Sequence, residues 1–187
     1  MPLSRLKARA RWWFPGAYGF AQTIQMGRKI TTDGGEWSRN ALNDAILSTA
    51  IRQRLSSQST AFDVGAAHGR FTREMSQVAV HGSVLAIEPI PSQNTRLKRI
   101  FRSQHQVSVL PYALGKESTQ AAFWVCQSNI GLSGLVASQE ARKSGDLVAI
   151  SVPVRTVDLI AEGHSHICLL YTSDAADDLL CVDLGGR

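Results

Sequence analysis

Asp63, Gly65, Gly69 and Glu88 are the residues whose types and spacing could do chemistry. Three of them lie in Phe62-Asp63-Val64-Gly65-Ala66-Ala67-His68-Gly69-Arg70, and Glu88 follows one strand–helix–strand step later. Gly65 and Gly69 let the backbone turn tightly and approach a ligand where a Cβ would collide. A helix opening near Arg70 offers unpaired N–H groups. Glu88 closes the next apolar run, at the carboxyl edge where ligands of open α/β sheets bind. A carboxylate there accepts both hydroxyls of a ribose. Together these residues describe a site for a nucleoside-containing cofactor.

The charge beside the turn bears on which cofactor. A dinucleotide fingerprint carries G-x-G-x-x-G on this turn, whereas here Gly65 and Gly69 are separated by three residues behind an acid. Asp63 beside a pyrophosphate would be repelled, and beside the ammonium of a methionine moiety it would be attracted. The sign favours S-adenosyl-L-methionine over NAD. A turn-capping Asp63 and a solvated strand-end Glu88 are the plainer readings, and their joint placement weighs against both.

The elements that must hold these residues alternate. Thr60 to Val64 reads as a short apolar strand, Arg70 to Val78 as a helix with Phe71 and Met75 on one side, and Ser83 to Ile87 as a second strand. Pro89 ends it, because proline cannot continue the ladder. Ser92 to Phe101 reads as a helix burying Leu97, Ile100 and Phe101, and Val107 to Leu110 as a third strand. This alternation predicts βαβ units on a parallel sheet. Ala121 to Cys126 and Leu147 to Val154 look like further strands around the Gly-rich link 129–134. Thr156 to Ile160 starts a short helix. Upstream, 41–55 reads as a helix with Leu42, Ile46 and either Ala50 or Leu55 on one face.

At 187 residues with 44% apolar content, the chain suffices for one α/β domain. The net charge of +5 is uneven. The first 40 residues form a basic leader (Arg5, Lys7, Arg9, Arg11, Arg28, Lys29, Arg39) that reads as solvated rather than as a membrane or nucleic-acid surface. With no signal-peptide-length or membrane-spanning apolar run, a cytoplasmic location is expected. Cys126, Cys168 and Cys181 have neither disulfide nor metal-site spacing, so no metal is expected.

FDVGAAHGRFTREM, GSVLAIEPIPSQNTRL, VSVLPYALG, NIGLSGLV and SVPVRTVDLI resemble, in order, the successive blocks of the FkbM-type methyltransferases over residues 60–160. The resemblance implies an α/β, Rossmann-like class I methyltransferase fold, a mostly parallel sheet flanked by helices. It implies that Asp63, Gly65, Ala67 and Gly69 line the S-adenosylmethionine site, that Glu88 holds the ribose, and that Ala113-Leu114 lies near the adenine. It also implies methyl transfer to an oxygen of a small molecule or glycan, the acceptor oxygen attacking the sulfonium methyl in line. His68 beside the turn is a candidate base, though helix-start packing or exposure is the favoured reading. Asn129, Ser133, Arg155 and Asp158 are candidates to approach an acceptor, and each suits turn, cap or surface roles at least as well. Phe123 and Trp124 read as packing.

Two departures stand out. The family commonly has Asn where this chain has Ala67, which removes one polar contact at the turn. No Lys-Ile-Asp-Val-Glu-Gly-like strand follows Ile160, so residues 41–167 read as a partial domain, cut before the fourth core strand. Residues 168–187 resemble, over their whole length, the translation of adapter DNA used in sequencing libraries, and read as a non-native tail with a possible strand at Ile167 to Tyr171; a genuine acidic extension is the alternative. Such a fragment is expected to be inactive or poorly folded, an expectation that a cooperative thermal transition with methyl transfer would overturn. The alternatives from other classes are a non-catalytic nucleotide-binding module and an NAD-linked oxidoreductase.

Overall fold

A computed structural model describes residues 36–164 and 166–172. Most of the basic leader and the tail from residue 173 lie outside the described residues. The chain divides between Gln53 and Arg54 into two units. The first is represented by helix α1 (Glu36–Arg54). Its buried positions are Leu47 and Ile51, four residues apart, while Ile46 is half exposed. The helical face predicted through Ile46 is therefore displaced by one residue, because Ile46 and Leu47 compete at neighbouring positions and only one can face inward.

The second unit is built on a parallel sheet. Strand β1 (Thr60–Val64) leads through a turn to helix α2 (Arg70–Val78). Strand β2 (Ser83–Ile87) leads to helix α3 (Pro91–Ile100), and strand β3 (Val107–Leu110) follows. β1 pairs with β2 and β2 with β3, all parallel, with Asp63 opposite Ala86 and Val64 opposite Ile87. Ala61, Phe62 and Asp63 are all buried, as are Val84 to Ile87, the continuous burial expected of parallel strands covered on both faces. One face packs Ala86 and Ala66 against Leu97 of α3 and Phe101 just beyond its end. The other gathers Phe62, Leu85 and Ile87. Pro91 opens α3 at its first turn, where a missing N–H costs nothing. On α2 the buried residues are Thr72, Met75 and Ser76, and Phe71 is only half-buried.

After β3 the chain forms a second sheet. Strand β4 (Ala113–Leu114) is followed by β5 (Thr119–Cys126), a 3-10 turn (Ile130–Leu132), helix α4 (Gln139–Ser144) and β6 (Leu147–Arg155). β5 and β6 pair antiparallel from Thr119–Val154 to Cys126–Leu147, and β4 joins β6 in parallel. Phe123, Val152 and Val154 point inward against Ile90 and Ala113, which fastens this sheet to the segment just beyond β2. Helix α5 (Val157–Ala161) is capped by the Thr156 side chain, which accepts the Leu159 N–H.

The sequence reading ends the core sheet before a fourth strand while marking Ile167 to Tyr171 as a possible strand, and the structure joins that segment to the sheet. Strand β7 (Leu169–Thr172) lies parallel to β1 with Leu170 beside Phe62, giving the order β3-β2-β1-β7. The motif expected of that strand is absent, but a short apolar run suffices: Ile167 and Leu170 pack on the Phe62–Leu85–Ile87 cluster, and the Cys168 N–H reaches the Thr60 carbonyl at 2.8 Å.

Candidate functional site

The turn leaving β1 is shaped by left-handed residues. Gly65 has φ +77°, Ala67 φ +43° and Gly69 φ +75°. The Gly65 and Ala66 N–H groups both donate to the Ile87 carbonyl, at 2.8 and 3.2 Å, which folds the turn over the end of β2. At Gly69 a Cβ would lie 2.6 Å from Leu97 Cδ2 and 2.8 Å from Phe101 Cε2. Its small size thus serves the packing of α2 on α3.

Glu88 continues β2 beneath this turn. Its Oε2 accepts the Ala67 N–H and its Oε1 the Ile90 N–H, both at 2.8 Å. Burial raises its pKa above the usual carboxylate value, against the pull of those two N–H groups. The carboxylate is thereby fixed, and each oxygen keeps a lone pair for another donor.

Asp63 stands behind the turn, 1% exposed. Its Oδ2 accepts the Thr72 hydroxyl at 2.5 Å, and its Oδ1 is buried with no hydrogen-bond partner among the described residues. Burial pushes its pKa up to about 6 against the hydrogen bonds from Thr72, and the Glu88 charge adds to the rise.

A cavity of about 100 Å³ opens at the carboxyl ends of β1, β2 and β3. Gly65, Ala67, Glu88, Ala113 and Leu114 line it, and so do Phe123 and Ser133. Five of the seven residues that the sequence assigns to the cofactor therefore meet in one space, while Asp63 and Gly69 stand outside its lining. Tyr112, Ile90, Ile130 and Leu135 complete the apolar walls. Sequence reasoning missed these four: Ile90 and Tyr112 lie just beyond β2 and β3, whereas Ile130 and Leu135 reach the cavity only through the folding of the second sheet. The Thr72–Asp63 pair escaped it too, although Thr72 opens the helix that follows the turn.

The other candidates disperse. His68 is exposed, its Nδ1 3.2 Å from Arg96 Nη1. Asn129 closes its own turn by accepting the Gly131 N–H at 3.1 Å. Arg155 stacks on the Tyr112 ring at 5.3 Å, beside a separate groove of about 350 Å³ bordered by β2, β3 and α5. Asp158 sits in the first turn of α5. Among the described residues no group of three His, Cys, Asp or Glu could hold a metal ion, and no helix is long and apolar enough to cross a membrane.

An open parallel sheet with its cavity at the carboxyl ends of the strands defines a Rossmann-like α/β protein. The Methyltransferase FkbM domain matches residues 63–170, more than half of the chain, and the chain belongs to this methyltransferase family. No curated protein sequence matches it.

Proposed function

We propose that the chain's site binds S-adenosyl-L-methionine and serves methyl transfer to an oxygen of a small molecule or glycan. The observation that carries this reading is Glu88: a buried carboxylate, fixed by two backbone N–H groups, at the lip of an apolar cavity beside a left-handed glycine turn. The residues present fit such a cofactor. Glu88 has acceptor capacity for two sugar hydroxyls. The apolar walls suit a base. Asp63 stands behind the turn and outside the cavity lining, with no partner for its Oδ1 among the described residues, so its charge favours an ammonium from behind the turn and not by contact.

Bound there, the cofactor supplies a methyl group already activated on a sulfonium. The protein's share is alignment and exclusion of water. Glu88 orients the sugar, the turn lets backbone approach it closely, and Asp63 favours positive charge behind the turn once ionised, above its pKa of about 6.

Calorimetry of the full chain with S-adenosylmethionine and S-adenosylhomocysteine tests the reading. Uptake of both is expected, and Glu88→Gln should lose it by tenfold or more, because an amide nitrogen would face one of the two N–H donors (~1–3 kcal/mol). Tighter binding of NADH than of S-adenosylhomocysteine, or no uptake of either methyl-cycle ligand, would remove the proposal. Transfer of an isotope-labelled methyl group to a sugar and phenol panel tests the acceptor class.

A further inference from the structure

Part of the cavity wall comes from the link between β5 and α4, which is braced by backbone hydrogen bonds. The Leu132 and Ser133 N–H groups donate to the Asn129 and Ile130 carbonyls, both at 3.0 Å. Asn129 Oδ1 takes the Gly131 N–H. Gly134 exchanges both backbone hydrogen bonds with Trp124, at 2.8 and 3.0 Å, which ties the segment to the edge of β5. A Cβ at Gly131 would sit 3.3 Å from Asn129 Oδ1, a tight approach that a shift of a few tenths of an ångström relieves.

Ser133 is held at the centre of this wall. Its Oγ accepts the Cys126 N–H at 3.0 Å, so its position is set by the strand. That bond uses an acceptor lone pair and leaves the hydroxyl proton to be donated elsewhere. Ser133 borders the cavity, as do the apolar residues Phe123 and Leu135. With about 100 Å³, the space is well below the ~300–1,000 Å³ of pockets that enclose a whole drug-sized ligand. It suits one flat, mostly apolar group carrying an acceptor atom in its plane.

The position of Glu88 says which group that is. The cavity is bounded by the end of β1 on one side of Glu88, and by Tyr112 to Leu114 and the second sheet on the other. A nucleoside whose sugar hydroxyls meet Glu88 therefore lays its base against the second sheet, where the apolar residues are. From this we infer that Ser133 is a specificity-determining residue for the nucleobase, donating its hydroxyl proton to a ring nitrogen of the purine. The inference rests on the reading of this cavity as a nucleoside site.

Calorimetry with adenosine and its 1-, 3- and 7-deaza analogues tests it on the full chain. One of the three analogues should bind the wild-type protein about five- to tenfold more weakly than adenosine, the worth of one hydrogen bond (~1 kcal/mol). Ser133→Ala should bind adenosine as weakly as the wild type binds that analogue, and should no longer tell the two apart. Ser133→Thr, which keeps the hydroxyl, should restore the discrimination. Because Ser133→Ala also strips the Cys126 N–H of its partner, its thermal midpoint is measured alongside. If it fails to fold, the wild-type deaza series together with Ser133→Thr still decides. A wild type that binds all four nucleosides alike, or a deaza penalty that survives in Ser133→Ala, overturns the role of Ser133 alone. A wild type that takes up neither adenosine nor S-adenosylhomocysteine overturns the cofactor reading and this inference with it.

Discussion

The two sheets each carry a carboxylate site, and the two are opposite in character. At the carboxyl end of the parallel sheet, burial drives Asp63 up to about 6 and raises Glu88 as well. At the Cys126–Leu147 end of the hairpin sheet, the Ser144 hydroxyl and then Ser128 hold the Asp146 carboxyl well below the usual carboxylate range. Asp146 takes the Ser144 hydroxyl at 2.6 Å, the Ser128 N–H at 2.5 Å and the Cys126 thiol at 3.3 Å. It is a partly exposed fastening with three donors between the start of β6 and the end of β5. Asp63 instead keeps one oxygen without a partner among the described residues, in a dry place. A partly exposed carboxylate held by several donors fastens a loop, whereas a buried one with an unused acceptor is the rarer arrangement and marks a place where function is worth seeking.

Glycine substitutions should separate the two regions most sharply. Gly82→Ala would set a Cβ 2.0 Å from the Ser59 carbonyl oxygen, where β1 and β2 begin side by side. Backbone cannot yield there, and urea unfolding should show a loss above ~3 kcal/mol. Gly145→Ala caps α4 at φ +73° with nothing within 4 Å, and should cost only the ~1–2 kcal/mol of a left-handed alanine. Equal losses would undo the contrast.

The Asp63 contribution should appear as a pH slope. Its folded pKa of about 6 lies above its ordinary value of 3.8. The stabilisation is therefore complete below about pH 3.8 and lost as pH rises through 6. That amounts to an upper bound of ~3 kcal/mol over the window, at ~1.4 kcal/mol per pKa unit. Asp63→Asn should flatten the curve there and leave the slope of the same sign from Glu88. An unchanged curve would mean that Asp63 does not titrate in this range.

A smaller effect is expected at the turn. Ala67 holds φ +43° with a Cβ, and asparagine tolerates that region better. Ala67→Asn should raise stability by several tenths to ~1 kcal/mol in thermal melts, and a lowered midpoint would speak against strain at this residue. Least of all should Asp146→Ala disturb the parallel sheet. Faster amide hydrogen exchange at Ser128 is the expected sign, with protection in β1 and β2 unchanged.

The sequence was most readable where apolar runs end at glycine or proline. β1, α2, β2 and β3 fall on the residues expected, since Gly65, Gly82, Pro89 and Pro111 punctuate them. The hairpin strands are longer by one or two residues than their apolar stretches suggest, because Thr119, Gln120 and Arg155 join the ladder through backbone alone. α4 was illegible. Its six residues, Gln139–Ser144, are polar and show only Ser138 as a cap and Ala141 as a buried contact. β4 is two residues long and exists because β6 passes beside it. Of the cavity, the glycine turn and Glu88 are local and could be read. The far wall depends on pairings such as Trp124 with Gly134, which no periodicity encodes.

The pairing of Ala113 with Val154 and of Leu114 with Arg155 brings the chain back beside the point where it left the parallel sheet. Everything between those two stitches is a closed excursion, entered and left through adjacent doors. Such a loop of structure can be lengthened, shortened or recut without sliding β1, β2 or β3 out of register. The half of the cavity that holds Glu88 can thus stay constant while the opposite half is retailored, a route by which one scaffold acquires new tastes.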